Sequence, residues 1–187
     1  MTSLSWFSLH HGRLVLSGLL FEVVWLVCVL APGVGTVALI TFSNLIFQCW
    51  MFHWRGRAKG FEQGLSRTLR WVAFVTVSGC VMDATLFDVG VFASGAEYTM
   101  LPLWLAFLWV NFALALRFAF SFLQRNLWVA AVLGMVGGPL SYLLGAKINS
   151  DVILAEPLLS TLVILAGLWG VFLPLIMRCA RLELFRQ

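Results

Sequence analysis

FVTVSGCVMDATLFDVGVF, residues 74–92, has the length and apolarity of a helix that crosses a bilayer, yet it holds two aspartates, Asp83 and Asp88. A charge at the centre of such a helix costs roughly 2.5–3.5 kcal/mol on insertion scales, so it is rare and faces a partner or a cavity. From Asp83 to Asp88 is five residues, about 140° around a helix. The two carboxyls therefore do not share a face, and they are not a paired acid–base site.

The same apolarity runs through the whole chain. Of 187 residues, 61% are hydrophobic and 11% charged, against about half and about a quarter in soluble domains. The apolar residues fall in blocks of about twenty, the length of a membrane-spanning helix. The reading is a single all-α integral membrane domain over residues 1–187, a polytopic transmembrane helix bundle of about six spans. The spans are expected at about 14–31, 34–52, 71–91, 103–123, 127–146 and 158–177. The first is an uncleaved span rather than a signal peptide, because its apolar run is long and Glu22 interrupts it.

Charge sets the threading. With six spans, Arg13, Arg55, Arg57, Lys59, Arg67, Arg70, Arg125, Arg178, Arg181 and Arg186 lie on one side. Lys147 stands on the other, with Glu97, Asp151 and Glu156. Cytoplasmic loops carry the excess of Lys and Arg, so both termini are expected in the cytoplasm. The +4 charge lies in short loops and not on a soluble scaffold, which excludes nucleic acid as a partner. Trp54, Trp71, Trp104 and Trp128 stand near span ends, where interfacial belts form. In the basic loop 53–70, Phe61, Leu65 and Leu69 recur at helical spacing and suit either an inner-leaflet surface or a solvated loop.

Cys28, Cys49, Cys80 and Cys179 show no C-x-x-C spacing, and His10, His11 and His53 have no partner at metal-ligand spacing. Neither a metal nor a cofactor is expected.

The intramembrane polar residues are the candidate site: Glu22, Asn44, Gln48, Asp83, Asp88, Asn111 and Arg117. Counting depth at about 1.5 Å per residue from the expected span ends pairs Glu22 with Arg117, and Asp83 with Asn111. Asn44 shares a helical face with Thr41 and Gln48. One inner cluster of Glu22, Asn44, Gln48 and Arg117 follows. Asp88 lies nearer the outer surface. A second candidate is the kinked stretch GMVGGPLSYLLGAK in the fifth span, with Gly134, Gly137, Gly138, Pro139, Ser141 and Tyr142. Its small-residue stripe permits close helix approach, for the fold or for a homo-oligomer equally. Pro139 removes a backbone donor and should kink or break the helix.

FEVVWLVCVLAPG, VMDATLFDVGVF, LPLWLAFLWVNFA and GMVGGPLSYLLGAK together resemble a family of small bacterial inner-membrane proteins, domain-of-unknown-function family 2878. The resemblance runs from the first span to the fifth. It implies a bacterial inner-membrane location, and members that keep company with lipid-modifying enzymes. The family usually carries a glutamine at the position of Glu22, so a Glu22–Arg117 pair would belong to this chain and not to the family. Function is expected to be the handling of a membrane lipid or hydrophobic small molecule, as the membrane partner of a lipid-modifying enzyme. The alternatives are a small transporter or proton-coupled carrier using Asp83, and a structural subunit. An enzyme in its own right is disfavoured by the lack of a nucleophile beside a base.

Overall fold

A computed structural model describes residues 3–53, 58–94, 101–149 and 151–186. The apolar blocks become six helices: α1 (Ser3–Leu30), α2 (Val34–His53), α3 (Ala58–Asp88), α4 (Leu103–Arg117), α5 (Leu127–Ile148) and α6 (Leu158–Cys179). Five of them are long and apolar enough to cross a membrane. Local chemistry sets several ends. Pro102 and Pro157 stand just before α4 and α6, where a missing N–H costs nothing. The Asn126 side chain caps α5, accepting from the backbone N–H of Trp128 and Val129.

The fourth helix departs from expectation. The apolar run continues to Leu123, but α4 stops at Arg117. At 15 residues it is about 22 Å long, short of a hydrocarbon core of about 30 Å. The chain turns because Phe118 and Leu123 find better burial inward. Phe118 stacks on Phe52 at 3.9 Å, and a 3-10 turn at Ser121–Gln124 leads to α5. The short helix is the centre of the bundle. It packs against α1, α2 and α3, and most of its residues are buried.

The third helix is longer than expected, because it begins at Ala58 inside the supposed basic loop. Phe61, Leu65 and Leu69 belong to its first turns. Arg55, Arg57, Trp54 and Glu97 lie outside the described residues. Of the other supposed belt tryptophans only Trp128 is well exposed, whereas Trp71 and Trp104 are core residues. Trp71 donates to the Ala113 carbonyl at 2.9 Å.

Two short strands also form, β1 (Phe92–Ser94) and β2 (Val152–Leu154), paired antiparallel with Ala93 opposite Ile153. They follow α3 and α5, so those helices end on one face of the bundle. At the opposite, basic end the C-terminal residues fold under the helices. Arg67 and Arg117 donate to the carbonyls of Arg186 and Phe185, and Arg181 donates to that of Gln124. The Phe185 ring packs on Phe74 at 5.1 Å and edge-on to Trp71 at 5.6 Å. Replacing Phe185 with alanine should cost about 3 kcal/mol, the usual loss for a buried ring. Leu184→Ala, at an exposed position, should cost far less. Unfolding midpoints of the two variants in mixed micelles test the difference.

Candidate functional site

Two buried polar networks meet at α4. The first is a ladder of side-chain hydrogen bonds across α1, α2 and α4. Ser17 Oγ donates to Gln48 Oε1 at 2.6 Å, and Gln48 Nε2 to Asn44 Oδ1 at 3.0 Å. Asn44 Nδ2 donates to Asn111 Oδ1 at 2.8 Å, and Asn111 Nδ2 to Thr41 Oγ1 at 2.8 Å. The spacing of Thr41, Asn44 and Gln48 puts all three on one face of α2. All five side chains are buried, and each has a partner. Such a ladder locks three helices in register. Asn111→Ala removes its central link and should cost about 1–2 kcal/mol. Ser17→Ala, at the end of the ladder, should cost under about 1 kcal/mol. Thermal melts in detergent would rank the two.

The second network ties α3, α4, α5 and α6. Asp83 is fully buried. Its Oδ2 accepts from Trp109 Nε1 at 2.6 Å, and its Oδ1 from the Tyr142 hydroxyl at 2.5 Å. Trp109 lies parallel to Trp169, with centroids 5.6 Å apart and planes 9° apart. Glycine makes room for both indoles. A Cβ on Gly79, one turn before Asp83, would sit 2.0 Å from the Trp109 ring, and one on Gly138, one turn before Tyr142, 2.2 Å from the Trp169 ring. Each of α3 and α5 thus presents a notch and then, four residues on, a polar group. The stripe expected from Gly134 and Gly138 serves the fold: both glycines face Trp169 of α6. Pro139 is accommodated without a break, since α5 runs continuously past it.

Beside this second network lies a cavity of about 420 Å³, within the range of ligand sites. Its walls are α1, α4 and α5, with Trp169 and Leu173 of α6 behind. Val152 of β2 and Trp104 line its far end, where Trp104 Nε1 donates to Asp151 Oδ2 at 3.1 Å. The α5 wall runs from Leu133 to Ala146, about 20 Å along the helix axis. Leu133, Gly137, Leu140 and Leu144 are exposed at its lip, so the groove opens sideways, toward lipid. Among the described residues, its lining carries the Glu22, Ser141 and Tyr142 side chains and four tryptophans, Trp25, Trp104, Trp109 and Trp169, as its polar groups. Ser141 is turned onto the Gly138 carbonyl at 2.8 Å.

The expected pairings differ from those found. Glu22 and Arg117 make no ion pair: Arg117 is buried at the end of α4 and donates to Phe185, while Glu22 is exposed at the groove. The depth match assumed that α4 continued to Leu123. With α4 ending at Arg117, that guanidinium belongs to the basic end. The same error placed Asn111 beside Asp83. Measured from the ribbon end instead, Asp83, Trp109 and Tyr142 are all about 8–9 Å deep, and they are the groups that meet. Asp88 is the last residue of α3 and is exposed. Asp83 and Tyr142, expected in separate sites, share one hydrogen bond. Trp109, Trp169 and Ser17 had not been singled out. Glycine four residues before Asp83 and before Tyr142 was the available signal for the two indoles.

A model of the protein family of unknown function DUF2878 matches residues 14–175, most of the chain. The chain belongs to this family. DUF2878 is thus represented here by a multi-pass membrane bundle. No curated protein and no solved structure matches the chain.

Proposed function

We propose that this DUF2878 protein is an inner-membrane protein of bacteria that holds a lipid or other hydrophobic small molecule in the groove between α1, α4 and α5. The groove itself carries the reading. It is about 420 Å³ in volume, walled by Phe21, Trp25, Leu108, Phe112 and other apolar side chains, and open at the Leu133–Leu144 lip. An apolar groove at membrane depth admits molecules already dissolved in the bilayer. A carrier that moves protons on Asp83 has less support, because both carboxyl oxygens are taken by Trp109 and Tyr142, which stand between Asp83 and the groove.

Gly137 offers the test. A Cβ there meets nothing within 4 Å, so Gly137→Leu fills the groove and leaves helix packing alone. Native mass spectrometry in mild detergent should show a retained hydrophobic molecule on the wild-type protein and at least tenfold less on Gly137→Leu, with both folded. Equal retention, or none of a selective kind on the wild type, would sink the proposal.

A further inference from the structure

Among the described residues, Glu22 is the one charged side chain that lines the groove. It lies near the middle of the membrane-crossing part of α1, which runs from His11 to Leu30. The fold does not explain it: among the described residues it makes neither a hydrogen bond nor an ion pair. The two buried charged groups among the described residues, by contrast, are both engaged. Asp83 has two donors and Arg117 a carbonyl.

Its surroundings are aromatic. Phe21, Glu22, Trp25 and Val29 repeat at helical spacing and all line the groove. Phe21 meets Phe112 at 5.6 Å and Phe120 at 6.4 Å between centroids. Trp169 also lines the groove, and its indole N–H is buried without a hydrogen-bond partner among the described residues. A carboxylate attracts a cation directly, and ring faces attract it through their quadrupoles. An alcohol gains only the hydrogen bond, and an acid is repelled.

We propose that the groove selects amphiphiles that carry a cationic nitrogen, a long-chain amine in its simplest form, with the nitrogen at Glu22 and the chain along the α5 glycine face. This rests on the groove being a ligand site, and adds to it the chemical class of the head group.

The probes are three brominated C16 chains, identical except for a terminal amine, alcohol or carboxylate. Bromine quenches the tryptophans that line the groove, Trp25, Trp104, Trp109 and Trp169, so binding is read on the protein's own fluorescence in detergent. The wild type should bind the amine about tenfold more tightly than the alcohol, one decade in Kd, and the carboxylate more weakly still. Glu22→Gln should remove the preference, so that amine and alcohol bind the variant with Kd values within about twofold of each other. Gly137→Leu should abolish saturable quenching by all three. If amine and alcohol bind the wild type equally, the head-group inference fails while the groove stands; that comparison needs no variant. If no probe saturates, or Gly137→Leu changes nothing, the groove reading fails as well.

Discussion

Gly134→Ala should destabilise the bundle by about 2–3 kcal/mol, although the same change in an exposed helix stabilises by about 1 kcal/mol. The reason lies in what the added carbon meets. At Gly134 it would sit 2.4 Å from the Trp169 carbonyl oxygen and 3.2 Å from Leu173 Cβ. A backbone oxygen has no rotamer to escape into, so α5 and α6, packed along their length, must separate. At Gly170 the obstacle is Met135 Cγ at 2.6 Å, part of a flexible side chain, and the cost should be smaller. At Gly137 and Gly145 nothing lies within 4 Å, so alanine there should be neutral or stabilising. Unfolding midpoints of the four alanine variants should follow that order. Were Gly134→Ala and Gly137→Ala to melt together, the α5–α6 contact described above would be wrong.

The number of helices and their alternation were legible because both follow from properties that act over twenty residues: apolarity, and the segregation of Lys and Arg. The end of α4 was not. No glycine or proline stops the run before Leu123. The helix ends because Phe118 and Leu123 gain burial against other helices, a tertiary effect invisible to a hydropathy window. That one boundary then misplaced two partners, since depth was counted from it. The polar residues of the ladder were partly legible: Asn44 and Gln48 stood out at i,i+4, whereas a serine such as Ser17 is common in spans and carries no signal of its own.

The groove was illegible for a related reason. Its walls are Phe, Trp and Leu, residues that any apolar helix uses. What makes a cavity of them is the glycine face of α5, with Gly134, Gly137 and Gly138 at its lining, combined with the little contact between α1 and α5. Two of these glycines are needed for packing on Trp169. Gly137 is not, and it leaves open space where a side chain would fill the groove.

Asp83→Ala should be the most damaging single change at the second network, with a loss of about 2–4 kcal/mol, because two buried donors lose their acceptor at once. Asp83→Asn keeps the shape and one acceptor oxygen for Trp109, and Tyr142 can turn its hydroxyl to accept from the new amide, so about 1 kcal/mol is expected. Tyr142→Phe removes one of the two hydrogen bonds and should cost about 1 kcal/mol. The double variant Asp83→Ala with Tyr142→Phe should cost less than the two singles added, leaving a coupling of at least about 1 kcal/mol, as for directly bonded groups. The consequence reaches the groove. The Tyr142 ring packs on Phe92 of β1 at 4.9 Å and lines the cavity, so Asp83 acts on the site by holding that ring. In variants that still fold, the chain probes should therefore bind more weakly to Asp83→Ala than to Asp83→Asn. A carrier using Asp83 predicts a different ordering: Asp83→Asn would abolish flux with its melting point unchanged, since only the ionisable proton is lost. Melting and probe binding measured on the same two variants separate an aspartate that positions Tyr142 from one that carries a proton.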